Sequence, residues 1–292
     1  MTHTASTTVD FDQLLAAAHD LALAGRWERA LGLLDTTDCA DPDDRARLAL
    51  AAAEVALLSD WFAGTDLTAA RADRAEKEAP GAGWDLGFIR LRHDYRCQLL
   101  REGVFHPGPE GKDPETLAGI RRSALSLRDS APDEVRRGWA SMYLGLVVEN
   151  LFAERAAAPA HYEDALRAGE AGGEDGKGGD DLLTREALRH LGDHAHDAGD
   201  HERAVECWER ATGLGARAGL VPGVLAQQLL LAVLARDAGD EAGARALARE
   251  VARWAEAIGA DRLHAQTTGF LDGVDPTAAP EPETRGGSES GS

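Results

Sequence analysis

The chain has 292 residues and a formal net charge of −20, set by 31 basic and 51 acidic side chains. That balance repels nucleic-acid phosphates and anionic membrane surfaces unless the charge is segregated, so neither is expected as a direct partner. Hydrophobic residues reach 43% while aromatics stay at 5%, and the abundance of Ala, Leu, Arg and Glu over β-branched residues points to helices packed through Leu, Ala and Val.

Cys39, Cys97 and Cys207 are widely spaced and form no CxxC pair, which fits a reducing compartment better than a disulfide framework. Met1 to Asp10 is polar, with no basic segment followed by an apolar one, so no signal peptide is expected. The longest apolar run, Leu229 to Ala235, is far below the roughly 20 residues of a membrane span. A soluble, cytoplasmic chain is the expectation.

Residues 1–10 are expected to be disordered and 11–271 to form one helical domain. The periodicity predicts six helix pairs and a terminal helix. The first pair is read at Phe11–Ala24 and Arg26–Leu34, punctuated by Gly25. The second is read at Pro42–Leu58 and Thr65–Ala79, where Asp41 before Pro42 is a strong start signal: an N-cap oxygen, then a proline whose missing N–H costs nothing in the first turn. The third is read at Trp84–Arg101 and Pro114–Asp129, with a long connection through His106–Gly111. The fourth is read at Pro132–Arg155 and Ala160–Gly169. Its first helix carries Val135, Trp139, Tyr143, Leu146, Val147 and Leu151, a surface broad enough to be buried on more than one side.

Residues 172–181 read GGEDGKGGDD and are expected to be a flexible loop, because they bring no apolar side chain to offset the ordering entropy. The fifth pair is read at Leu182–Ala198 and His201–Leu214, the sixth at Pro222–Ala238 and Glu241–Ile258, and a capping helix at Asp261–Leu271. Residues 272–292 are expected to be a disordered acidic tail.

The fifth pair carries a specific spacing. Leu188, Leu191, Gly192 and Ala195 share a face of the first helix, Gly199 turns the chain, and Ala204, Trp208 and Ala211 line the second. Small Gly192 and Ala204 permit a close helix approach, and Leu191 and Trp208 fill the space around it. This resembles the tetratricopeptide repeat (TPR), W-x2-L-G-x2-Y, then A-x3-F, then P. Leu188, Ala195 and Ala216 stand where that family prefers Trp, Tyr and Pro. The sixth pair repeats the offsets with Leu231, Ala232, Ala235, Gly239 and Ala244, but has Ala248 at the bulky position. The first pair shows Leu14, Leu21, Gly25, Ala30 and Leu34. The second pair matches weakly, and the third and fourth only by being helical pairs. The resemblance implies an all-α fold, an α-solenoid of about six antiparallel TPR-like helix pairs with a C-terminal capping helix. It further implies a binding groove lined by the first helix of each pair. Those positions are Glu186, Arg189, Asp193 and His196 in the fifth pair, and Ala226, Leu229, Val233 and Arg236 in the sixth. Arg189 and Asp193 stand where the family's chaperone-tail clamp uses Lys and Asn, so that ligand is not implied.

Candidate chemistry is sparse. His190, His194, His196 and His201 lie within twelve residues, with His190 and His194 on one helical face. That spacing can chelate a metal, but no HExxH glutamate accompanies it. A polar, surface-exposed helix end accounts for the cluster, and no metal or cofactor is expected. Nucleotide loops, GxSxG and a Ser/His/Asp grouping are not found, so no enzymatic activity is expected.

Charge is segregated instead. Trp84 to Ala140 carries ten basic and nine acidic residues, +1, leaving −21 for the rest. Within it Trp84, Phe88, Leu91, Tyr95 and Leu99 form a helical stripe flanked by Arg92 and Arg96, either an ordinary core stripe or aromatic anchors beside guanidinium groups. The candidate partner-binding residues are therefore Trp84, Phe88, Arg92, Tyr95, Arg96, Arg189, Asp193 and His196. The expected function is a scaffold binding a protein or peptide partner. A ligand-sensing regulatory module is the alternative, and a metal-dependent enzyme ranks last.

Overall fold

The computed structural model describes residues 10–80, 82–101, 104–171 and 179–276. Apart from one two-residue ladder the described chain is helical, and neighbouring helices pack consecutively. In order they are α1 (Phe11–Leu23), α2 (Trp27–Asp35), α3 (Pro42–Phe62), α4 (Thr68–Glu78), α5 (Gly83–Leu99), α6 (Pro114–Asp129), α7 (Glu134–Asn150), α8 (Ala158–Glu170), α9 (Asp181–Asp197), α10 (His201–Arg217), α11 (Val221–Asp237), α12 (Glu241–Ile258) and α13 (Asp261–Leu271). None of these helices is long and apolar enough to cross a membrane.

Local chemistry sets the boundaries. Asp10, Asp41, Asp113, Asp133, Asp180, Asp200 and Asp240 are N-caps whose carboxylates accept from first-turn amides. At the α9–α10 turn Gly199 takes φ +78, the left-handed conformation that lets Asp200 N donate back to Ala195 O at 2.9 Å.

Several boundaries differ from the periodicity by a few residues, three of them at joints between helices. Helix α3 continues to Phe62, where its last turn meets three neighbours: Asp60 accepts from Thr68 at the start of α4, the Trp61 ring centre lies 6.1 Å from that of Tyr95 of α5, and Phe62 stacks on Trp27 of α2. Helix α5 stops at Leu99, and the chain makes a short antiparallel ladder, β1 (Leu100–Arg101) with β2 (Val104–Phe105), pairing Leu100 with Phe105. Helix α7 stops at Asn150 rather than Arg155; Ala153 takes φ 58 and residues Arg155–Ala157 form a 3-10 turn leading into α8. Of the segments expected to lack structure, 1–9, 172–178 and 277–292 lie outside the described residues. Residues 179–181 lead directly into α9, with Asp180 as its cap.

Close approach of paired helices recurs. A Cβ on Gly192 would lie 2.3 Å from Trp208 Nε1, and one on Gly145 would lie 2.6 Å from Tyr162 Cε1. The second case places the same small-against-aromatic contact in the α7–α8 pair, where the sequence shows only two helices.

The two ends of the helix series meet. One apolar cluster contains Ala18, Trp27, Leu34 and Val55 together with Leu229, Val233, Val251 and Phe270. A Cβ on Gly25 would sit 3.4 Å from Ile258 Cδ1 and 3.5 Å from Pro222 Cγ. Helix α13 touches α3 as well as α11 and α12. A second cluster, from Phe88 to Leu214, fills the middle.

Gly192→Ala should destabilise the protein by about 1–3 kcal/mol, since the Trp208 indole is itself fully buried and cannot yield. Gly213→Ala, with open space around its Cβ, should be neutral or stabilising by up to about 1 kcal/mol. Urea denaturation of both variants checks the contrast.

Candidate functional site: a charged interior

Side chains from α3, α5, α7, α9 and α13, with a backbone carbonyl of α11, meet in a common polar interior. Helix α5 reaches α3 through Arg92, whose Nη1 lies 2.7 Å from Glu54 Oε2. It reaches α7 through Tyr95, whose hydroxyl accepts from Asn150 Nδ2 at 2.9 Å. Helix α7 reaches α9 through Glu149, 3.2 Å from His194 Nε2. Helix α9 reaches α11 where Arg185 Nη2 donates to Gly223 O at 2.9 Å. Helix α13 reaches α3 where the Arg262 guanidinium lies 5.8 Å from the Trp61 ring centre.

The α9 face is a ladder one side chain apart. Arg185 pairs with Glu186. Arg189 lies 3.5 Å from Glu186 and 3.3 Å from Asp193. His190 stacks on Tyr162 at 4.9 Å between ring centres, and the Tyr162 hydroxyl donates to Glu149 at 2.6 Å. Arg189, Glu186 and Asp193 keep 27%, 23% and 28% of their side chains water-accessible. Desolvation is nevertheless the largest influence on each. These charges are therefore partly desolvated, although each keeps some contact with solvent.

Electrostatics differ within this ladder. Burial opposes the charge of Glu149, but the hydrogen bonds from His194 and Tyr162, with His190 nearby, bring its pKa down to about 2. Burial also opposes Glu186, yet Arg185 and Arg189 hold it well below the usual carboxylate range. Asp193 goes the other way: burial outweighs Arg189 and His190 and pushes its pKa up, and its Oδ1 has no hydrogen-bond partner among the described residues. Arg92 is held above its ordinary value despite burial by Glu54 and Tyr143, and its guanidinium lies 5.3 Å from the Phe88 ring centre and 5.9 Å from that of Tyr143. Burial pushes Tyr95 up.

The structure brings Arg92, Tyr95, Arg96, Arg189 and Asp193 into this interior. Trp84 and Phe88 pack in the middle apolar cluster instead; the Trp84 indole donates to Leu127 O at 2.8 Å. The Trp84–Leu99 stripe is thus mainly core, but its arginines do not reach outward to solvent. His196 sits at the α9–α11 edge, 3.6 Å from Asp237 and 5.7 Å from the Trp208 ring centre. The reading of the histidine cluster as a surface feature is corrected for His190 and His194: they are 9% and 17% exposed at the side chain and engaged with Glu186, Asp193 and Glu149. Among the described residues no group of three or more His, Cys, Asp or Glu side chains is arranged to hold a metal. In the sixth pair, Leu229 and Val233 are buried and Arg236 donates to Phe270 O of α13 at 3.2 Å, so the capping helix covers the face that the repeat pattern assigns to the groove.

Glu54, Trp61, Tyr143, Glu149, Asn150, Tyr162 and Arg262 escape the sequence reading. One signal was available: Glu149-Asn150 interrupts the otherwise apolar run from Leu144 to Leu151, and an acid in such a run is expected to have a buried partner. Two hollows elsewhere, one of about 460 Å³ beside Arg203, Glu206 and Arg210 and one of about 380 Å³ beside Asp94, Cys97 and Thr116, include none of the interior charges. No protein-family model matches the chain, and no curated protein matches it significantly.

The depressed pKa of Glu149 fixes the sign of an acid effect. Its contribution to stability is complete above the ordinary value of 4.5 and is lost as pH falls toward about 2. Urea titrations across that range should show stability falling with pH, and Glu149→Gln should flatten the fall. Gln keeps an acceptor for Tyr162 but not the charge facing His194, so at neutral pH the variant should be about 1–3 kcal/mol less stable.

Proposed function

We propose that this chain is a TPR-like α-solenoid, closed on itself, that acts as a non-enzymatic binding module and takes a short peptide segment of a partner on its inner face. The observation that carries the reading is the Glu186–Arg189–Asp193 row, pre-formed on one helix, paired internally, and still about a quarter water-accessible. Such a row can exchange internal ion pairs for a ligand's charged and amide groups without first building a site. Arg189 and Asp193 occupy the positions that line the groove in the repeat family this chain resembles. The meeting of α1–α3 with α11–α13 favours a thin, extended ligand over a folded domain.

A second reading, a small-ligand sensor, is favoured by one specific observation. Helix α13 contributes both to the end-to-end contact and, through Arg262, to the interior, so a ligand gripping Arg262 would bias that contact.

Affinity purification from the native cell, followed by binding measurements with the captured partner's segments, tests the peptide reading. Arg189→Ala with Asp193→Asn should weaken binding at least about tenfold, or about 1.4 kcal/mol, while helical circular dichroism is unchanged. Unchanged affinity in a folded double variant removes the inner face of α9 as the binding surface.

A further inference from the structure

Arg262 differs from most of the interior cations. Arg92, Arg185 and Arg189 each have a carboxylate at ion-pair distance. Arg262, among the described residues, has neither a carboxylate partner nor a hydrogen bond; its one contact of this kind is the face of Trp61. Burial, and then the neighbouring Arg96, lower its pKa to about 10.

Arg96 is similarly placed. Its Nε donates to Asp60 O at 3.0 Å and its Nη2 to Thr65 O at 3.3 Å, with no carboxylate at ion-pair distance among the described residues. The Asp60 carboxylate is turned to Thr65, Leu67 and Thr68. Trp61 and Tyr95 stand together with ring centres 6.1 Å apart. Tyr95 accepts its hydrogen bond from Asn150, which leaves its own O–H to donate.

A chain with 51 acids and 31 bases has ample carboxylates to neutralise two half-buried guanidinium groups, and among the described residues it places none within ion-pair distance of them. Holding like charges together in a desolvated place opposes folding unless something else uses them. We propose that Arg96 and Arg262, with the Trp61 face and the Tyr95 hydroxyl, form a binding site for a compact dianionic oxyanion of the phosphate-monoester class at the junction of α3, α5 and α13. The Arg262 fork, the Nη1 side of Arg96 that its two carbonyl bonds leave over, and one hydroxyl donor match a group with three acceptor oxygens and nearly two negative charges better than they match a single carboxylate. The indole beside them suits a flat or apolar body attached to the phosphate. Because Arg262 belongs to α13 and its neighbours to α3 and α5, a bound anion also ties the last helix to the first third of the chain.

The biological role rests on reading the interior as the binding face, but the anion site is tested separately. Titration calorimetry of the full chain uses inorganic phosphate, with sulfate, acetate and chloride as arms at matched ionic strength, alongside thermal melts. The expected result is saturable one-to-one binding of phosphate and sulfate, little binding of acetate or chloride, and a Tm that rises with phosphate. Arg262→Met should weaken phosphate binding at least about tenfold and abolish the Tm rise. Because that residue makes no hydrogen bond, the variant without phosphate should melt at or above the wild-type temperature. Arg262→Lys, which keeps a charge but not the fork, should fall between. No saturable phosphate binding by the folded wild type, acetate binding as tightly as phosphate, or undiminished phosphate affinity in Arg262→Met would each overturn the site. Phosphate binding without peptide capture would uphold the anion site and count against the peptide reading; peptide capture without phosphate binding would do the reverse.

Discussion

The contact between the first helices and the last is the constraint on which the rest of the structure depends. Trp27, Leu34 and Val55 share an apolar cluster with Leu229, Val251 and Phe270, and Gly25 is small enough to let Ile258 and Pro222 approach. Each buried side chain of this size contributes about 1.5–3 kcal/mol. A helix series held only by nearest-neighbour contacts is free to bend. One whose ends share an apolar cluster holds the helices between them in a fixed arrangement.

That arrangement explains the character of the interior. Side chains that would sit in open water on an isolated helix pair are partly desolvated here, and the chain answers with pairing: Arg92 with Glu54, Arg189 with Glu186 and Asp193, Glu149 with His194 and Tyr162. Pairing of partly desolvated groups fixes geometry more than it adds stability. The pairing is incomplete in places: Asp193 has burial raising its pKa and one oxygen unpartnered, and Arg96 and Arg262 have no carboxylate at ion-pair distance among the described residues.

The helical elements were legible because their signals are local. Asp-Pro starts, glycine turns and 3.6-residue periodicity are written within one helix, and most boundaries fall within a few residues of expectation. The Gly192–Trp208 contact was legible from spacing, whereas its counterpart Gly145–Tyr162 was not, since Tyr162 sits in a short helix whose register against α7 no motif announces. Arg189 and Asp193 were found only through resemblance to a repeat family. Arg262 was invisible because its role arises from α13 folding back onto α3, a contact between residues some two hundred positions apart. The histidines misled for the same reason: His190 and His194 look like a polar helix end until Tyr162 and Glu149 of the preceding pair are placed over them.

Pulsed electron–electron resonance between spin labels at Arg26 and Ala257, each exposed beside the Gly25–Ile258 contact, tests the end-to-end closure most directly, with the native cysteines replaced. Closure predicts a single narrow distribution at the short end of the measurable range, broadened and lengthened by Ile258→Asp. A long or broad distribution in the unsubstituted background would contradict it, and with it the common polar interior.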